Sequence, residues 1–418
     1  KINYQTVSLE RIKEYSMAYL IAISMSLLVA AFVPRLIEEN RHRTFLLVKQ
    51  PWYKDTKKWQ LIGLVSLSAL PILLISCFRY GVGTDYFHTY VPQFLSIVNG
   101  SYTHYYEPGF YLLNLLVASL TSDPQWLIAL CALLTLGLVY VVTVFLSDNY
   151  FMSILLFYLT YTYFVSINNI RQALASAILL PALYFLVRKK KIAFVLLTIL
   201  AGTMHQSAYY FLIMAVLDLL PLSQLSYLLI NLGFYIFIKL LGKRILALLA
   251  LLIPRVQMYL NQGVYLGKTI GKLYLGVQIA ISLIYLYLEY QQRFNRDLTQ
   301  FSYNKSSFKS QLVGMLQLDD RQKLGNSAEE WTIAKLLQWM VLIVCAMDGI
   351  LPATYRVVRI FTYAQFIFIP NAISKFERDD KRRLILYILV IVIFGILFVH
   401  DFAMGFEQVY PYKSIFNH

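Results

Sequence analysis

The chain has 418 residues, of which 59% are hydrophobic and 14% charged, with a mean hydropathy of +0.59. A soluble domain carries about a quarter of its residues as charge, so this composition excludes an ordinary water-facing surface. The net charge of +15 comes as short Lys/Arg clusters between apolar runs, with no basic stripe or aromatic ladder; it marks cytoplasmic loops and excludes a nucleic-acid partner.

In chain order, segments long and apolar enough to span a bilayer are expected at about 16–33, 59–78, 125–147, 150–168, 171–187, 192–214, 222–241, 244–262, 273–289, 332–351, 355–371 and 384–402. The expectation is an all-α polytopic membrane protein with about twelve transmembrane helices (range 11–14), forming one transmembrane domain over residues 1–418. Phe110–Thr121 is apolar but too short to span, and reads as a re-entrant or interfacial helix. Placing the basic 34–58 loop inside and alternating from there gathers most Lys and Arg on the inner side. This makes 79–124 an extracytoplasmic loop holding the short helix, and 290–331 a cytoplasmic loop. Both termini then fall outside, and no cleavable signal peptide is expected. Cys77, Cys131 and Cys345 lie in apolar runs without metal or disulfide spacing.

Ionisable residues at membrane level are costly and are functional suspects by default. Most of them fall at the outer ends of the segments. After the second span comes Phe78-Arg79-Tyr80-Gly81-Val82-Gly83-Thr84-Asp85-Tyr86, where two glycines allow a tight turn bracketed by Arg79 and Asp85. The same outer stretch continues to His104 and then Glu107-Pro108-Gly109. Glu107 sits oddly for mere solubility; its other reading is charge compensation at a helix N-terminus. Asn168, Arg171, Gln172 and Ala175 share a face if one helix runs through them; the plainer reading of Arg171 is a snorkelling interfacial arginine. His205, beside Gln206 and Ser207, is either functional or a hydrogen-bonded packing residue. Arg356, Arg359 and Tyr363 also share a face. Paired guanidinium groups make a good anion clamp, with lipid-headgroup anchoring as the alternative. Asp319-Asp320, in the cytoplasmic loop, reads as a solvated face. No phosphate-loop, nucleophile-elbow, zinc-protease or dinucleotide motif is present, and neither a cofactor nor a metal is expected.

At these residues the sequence resembles the EpsG family, the Wzy-like polymerases of bacterial exopolysaccharides and capsules. The features are Arg79-Tyr80-Gly81-Val82-Gly83-Thr84-Asp85-Tyr86, Glu107-Pro108-Gly109, Asn168-x-x-Arg171-Gln172, His205-x-Ser207-Ala208, the arginine helix at 355–363 and Tyr410-Pro411-Tyr412. Their order and spacing cover nearly the whole chain; the 290–331 loop matches least. The resemblance implies a GT-C-like glycosyltransferase in the cytoplasmic (inner) membrane with its active face extracytoplasmic. Its substrate would be an undecaprenyl-diphosphate-linked oligosaccharide repeat unit. A flippase that delivers the unit and a chain-length regulator would be partners, among membrane lipids. A ligase using the same donor, or a lipid-linked glycan flippase, are the competing readings.

The residues suit that chemistry. A lipid diphosphate leaving group calls for cations, with Arg171, Arg356 and Arg359 as candidates and Arg79 next. The acceptor hydroxyl calls for a base, with Asp85 and Glu107 ahead of His205. Asn168, Gln172, Tyr86 and Tyr363 are candidates for positioning sugars by hydrogen bonding and stacking.

Overall fold

The computed structural model describes residues 9–34, 56–101, 107–219, 222–252, 257, 270–300, 326–350 and 354–416. His104, Asp319-Asp320, and most of the 34–58 and 290–331 loops lie outside the described residues. Among the described residues there are helices and no β-ladder, only an isolated antiparallel bridge between Arg79 and Ser414. The chain divides into two compact units, one of Lys1–Tyr184, Leu196–Tyr209 and Phe398–His418, the other of Phe185–Val195 and Tyr210–Leu397.

The first unit contains α1 (Leu9–Ala30), α2 (Thr56–Cys77), α3 (Val91–Val98), α4 (Pro108–Ala118), α5 (Gln125–Leu146), α6 (Tyr150–Leu159), α7 (Thr162–Asn168), most of α8 (Ile170–Val187) and the C-terminal part of α9 (Lys191–Met204). α2 packs on α1 and α5, and α1 also packs on α6. The buried stripe of α2 is Val65, Ser68, Ile72 and Ser76, whereas Ile62, Leu67, Leu70 and Leu74 face outward. Its inward hydroxyls are all paired: Ser68 with the Tyr150 hydroxyl at 3.4 Å and Ser76 with that of Tyr163 at 3.0 Å. Ser26 of α1 likewise joins Tyr140 (2.8 Å) and Tyr158 (2.9 Å). Polar groups satisfied inside and large aliphatics outside reverse the arrangement of a soluble protein. In hydrocarbon this pattern is stable, because lipid costs the aliphatics nothing and the hydroxyls find partners within the protein.

The second unit contains α10 (Met214–Leu217), α11 (Gln224–Leu252), α12 (Lys272–Gln300), α13 (Asn326–Ala346), α14 (Thr354–Thr362), α15 (Gln365–Phe376) and most of α16 (Asp380–Ala403). Its largely apolar interior contains a buried polar stripe. Gln278, Ser282 and Glu289 form one buried stripe of α12, facing Lys335 and Gln338 of α13 and Gln365 of α15. Lys335 and Glu289 meet at 2.9 Å with their side chains 0% and 2% exposed. The Gln365 amide donates to Gln278 at 2.6 Å and to Gln338 at 2.7 Å.

Among the described residues, five helices are long and apolar enough to cross a membrane: Trp59–Cys77, Gln125–Leu146, Ile170–Val187, Lys272–Gln292 and Asp380–Ala403. Two bent pairs bring the number to seven if each is one span: α6 with α7, at 56°, and α14 with α15, at 42°. Among the described residues the protein is therefore all-helical, with several helices suited to multi-pass insertion. The expected number of about twelve differs from this count of the described residues in part because hydropathy sees no breaks. The expected 192–214 span is split after Met204 by His205 and a 3₁₀ helix, Gln206–Ile213; the expected 222–241 span and the first part of the expected 244–262 span share the one helix α11, nearly all of the rest of the latter lying outside the described residues.

Candidate active site

The site begins at a break in a helix. α7 ends at Asn168, Asn169 leaves the helical region (φ −93°, ψ 62°), and α8 starts afresh at Ile170. The break falls between the expected 150–168 and 171–187 segments, so Asn168 and Arg171 sit on separate helices rather than on one face of a continuous one. The break places Arg171 in the first turn of α8, where the helix dipole disfavours a cation by about 0.3–1 kcal/mol. Its position has to be offset by partners, and it is. Arg171 Nη1 donates to Glu107 Oε2 at 2.7 Å, and its guanidinium lies 5.9 Å from the Tyr90 ring centroid and 5.8 Å from that of Phe110.

Glu107 precedes α4, and its motif explains how it gets there. Pro108 occupies the first helical position, where its missing N–H costs nothing. A side chain at Gly109 would collide with Thr203 near the end of α9, so only glycine lets α4 come this close. The Glu107 carboxylate does not cap its own helix. Instead its second oxygen, Oε1, accepts from His205 Nδ1 at 2.5 Å and from the Gln206 backbone N–H at 3.3 Å. Burial alone pushes the Glu107 carboxyl up. The His205 hydrogen bond and the Arg171 charge outweigh burial and hold the carboxyl below its ordinary range. Side-chain exposure is 28% for Arg171, 11% for Glu107 and 15% for His205, so the trio is sheltered yet reachable.

Asp85 belongs to the same neighbourhood, since its charge acts on Arg171 together with that of Glu107. Its loop is fixed by Asn168, whose Oδ1 accepts from the Asp85 backbone N–H at 2.9 Å and from the Thr84 hydroxyl at 3.2 Å. Gly83 (φ +91°) passes so near that a Cβ would stand 2.7 Å from Asn168 Oδ1. The Asn168 amide in turn donates to Glu407, as does that of Asn169 at 3.1 Å. Tyr86 is buried, with its hydroxyl donating to Gln125 at 2.7 Å; burial pushes it up to about 12 despite the opposing charge of Arg79. Gln172 is buried as well.

Arg79 is buried, and donates to the Ser76 carbonyl at 2.7 Å and the Ile167 carbonyl at 3.0 Å. It ties the end of α2 to the last turn of α7. The remaining candidates belong to the other unit. On α14, Arg356 and Arg359 lie 5.7 and 5.6 Å from the Tyr355 ring centroid, and Arg356 Nε donates to the Tyr355 hydroxyl at 3.0 Å. Tyr363 follows α14 and is buried.

Sequence reasoning missed Tyr90 and Glu407. Tyr90 gives no signal among 33 tyrosines. Glu407 sits three residues before the Tyr410-Pro411-Tyr412 motif, and that proximity was the available clue. Among the described residues no group of three or more His, Cys, Asp or Glu is placed to hold a metal.

The model of the EpsG family matches residues 63–414, and the chain belongs to that family. Membership associates it with polysaccharide polymerisation and with a membrane setting. No curated protein and no solved structure matches the chain.

Proposed function

We propose that this EpsG-family protein is a polysaccharide polymerase that joins oligosaccharide repeat units carried on a lipid diphosphate, at the outer face of the cytoplasmic membrane. The observation that carries this reading is the Glu107 carboxylate bridging Arg171 and His205. It gathers an anion-binding guanidinium, a carboxylate and an imidazole at the start of an apolar helix. Glycosyl transfer from a lipid diphosphate needs these groups: a cation to stabilise the departing phosphate oxygens and a base for the incoming hydroxyl. Arg171 has N–H groups beyond the one given to Glu107, and a guanidinium fork suits phosphate oxygens. The outward aliphatic faces of α2 and α16 suit an enzyme whose substrate is itself dissolved in lipid. Arg79, clasped by carbonyl oxygens, is assigned a structural role. Arg356 and Arg359, in the other unit, are assigned phosphate binding in their own right.

The test is direct. Purified protein in detergent or vesicles receives a synthetic lipid-diphosphate-linked repeat unit, and products are resolved by length. A ladder of multiples of the repeat is expected. A single transfer to an unrelated acceptor, or passage of intact units across the vesicle membrane without new linkages, would overturn the polymerase reading.

A further inference from the structure

Three groups near Arg171 could take the proton from an acceptor hydroxyl: Asp85, Glu107 and His205. We propose that His205, through Nε2, is the catalytic base, and that Glu107 is its positioning residue. This assignment rests on the polymerase reading above and sorts the roles within that site.

Glu107 is unsuited to be the base because its oxygens are already occupied. Oε2 holds Arg171, and Oε1 accepts from His205 Nδ1 and the Gln206 N–H. Three donors, one of them a guanidinium, stabilise the charged carboxylate and weaken its basicity. Being ionised, the carboxylate only accepts, so the His205 proton must reside on Nδ1. The lone pair is then left on Nε2, on the far edge of the ring, which makes no hydrogen bond among the described residues. The ring is oriented from both ends of its backbone: the His205 N–H is bonded to the Ala201 carbonyl at 3.0 Å, ending α9, and its own carbonyl accepts from Ala208 at 3.0 Å in the following 3₁₀ turn. A carboxylate fixing an imidazole tautomer so that the opposite nitrogen serves as base is a recurrent catalytic arrangement.

The second consequence concerns Arg171. The carboxylate that orients the base also holds the guanidinium, so one side chain fixes both catalytic groups in a single frame. Asp85 adds negative charge near Arg171 and is anchored through its backbone by Asn168, which suits a supporting electrostatic role. In the reaction, His205 Nε2 accepts the acceptor hydroxyl proton as that oxygen bonds to the anomeric carbon. The bond from the anomeric carbon to the phosphate oxygen breaks, and its electron pair leaves on the lipid diphosphate beside Arg171. The proton on His205 passes to water, and no other reactant is needed.

The experiment uses the full-length protein and the synthetic lipid-linked repeat unit. His205→Asn keeps a donor near the Nδ1 position for Glu107 but has no base, and should lower kcat by about 10²–10⁴-fold with KM within about threefold. His205→Gln, tested in parallel, should behave alike. Added imidazole should restore part of the turnover of His205→Ala and none of that of Glu107→Gln. Glu107→Asp should regain much of what Glu107→Gln loses. Wild-type kcat in the folded His205 variants, with no response to imidazole, overturns the base assignment while leaving the polymerase reading intact. A larger loss in Asp85→Asn than in His205→Asn, again without imidazole rescue, transfers the role to Asp85. No ladder from the wild-type protein overturns both.

Discussion

Replacing Arg171 separates structure from chemistry, because the same side chain serves both. Arg171→Ala removes one charge-assisted hydrogen bond of 2.7 Å to Glu107, worth about 1.5–3 kcal/mol. It also removes two guanidinium–ring contacts, at 5.9 and 5.8 Å, each worth about 0.5–1 kcal/mol. Against this, a cation leaves the first turn of a helix, which returns about 0.3–1 kcal/mol. The side chain is 28% exposed, so the lower halves of these ranges apply and the net loss is about 2 kcal/mol. For a cooperative unit of roughly 150–250 residues that lowers the unfolding midpoint by about 4–8 °C. The loss of polymerisation should be far larger, about 10²–10³-fold, the usual cost of deleting a donor aimed at developing negative charge. Arg171→Lys sharpens the comparison. An ammonium can hold Glu107 but offers no fork for phosphate oxygens, so stability should stay within about 1 kcal/mol of wild type while turnover still falls at least about tenfold. Thermal unfolding in detergent and product-length analysis on the same preparations give both numbers. Normal polymer from Arg171→Ala, or losses of activity that merely track the unfolded fraction, would refute the reasoning.

Gly83→Ala forces a Cβ onto a residue at φ +91° and to within 2.7 Å of Asn168 Oδ1; it should cost at least about 1–2 kcal/mol and reduce polymerisation through Asp85, read by thermal unfolding and ladder yield. Lys335→Met strands the buried Glu289 and should destabilise by about 3–5 kcal/mol, measured by thermal unfolding. Pairing it with Glu289→Leu should recover part of that, the residue being the Gln224 backbone N–H (2.6 Å to Glu289) left unsatisfied at about 1–3 kcal/mol. Glu107 lies below its ordinary value when folded, so its stabilising contribution is complete above about pH 4.3, the unfolded carboxyl value, and disappears as pH falls through the lower folded value. The difference in unfolding midpoint between wild type and Glu107→Gln should therefore shrink from pH 6 towards pH 3.

Much of this was legible in the chain because the bilayer writes simple rules. Helical class, several spans and the short helix after Pro108 follow from run length and apolarity alone. The polar motifs were legible as suspects because charge near lipid is costly. Their partners were not. Glu107 and His205 are 98 positions apart, and no local pattern says which of the several carboxylates an imidazole will meet. Arg79 shows the same limit: a guanidinium clasped by the Ser76 and Ile167 carbonyls has the same sequence signature as one that binds a phosphate. The breaks at Tyr161 and His205, inside the expected 150–168 and 192–214 segments, were hidden because hydropathy averages over them, whereas the one at Asn169 falls between two expected segments. The Lys335–Glu289 pair was hidden because Glu289 closes the expected 273–289 segment and Lys335 lies near the start of the 332–351 one, 46 positions away, with no local pattern to join them.

The two glycines of the Arg79–Tyr86 segment and the Tyr410-Pro411-Tyr412 ending turn out to be parts of one construction. The C-terminal segment lies along the 78–83 loop: Ile415 N–H bonds the Phe78 carbonyl at 2.9 Å, Tyr80 N–H the Lys413 carbonyl at 2.9 Å, and Gly83 N–H the Gln408 carbonyl at 3.1 Å. Tyr412 reaches the Ile75 carbonyl at 3.0 Å, and Tyr19 the Val409 carbonyl at 3.0 Å. At the head of this strap Glu407 and Gln408 take left-handed backbone angles, φ +65° and +50°, which cost L-residues about 1–2 kcal/mol each. Strain of this kind persists where surrounding contacts over-determine it, and here Glu407 is held by both Asn168 and Asn169. Asn168 carries the hold onward to Thr84 and the Asp85 backbone, and Asn169 is the break that starts α8 and places Arg171. The last residues of the chain thus brace both the loop that presents Asp85 and the helix start that presents Arg171.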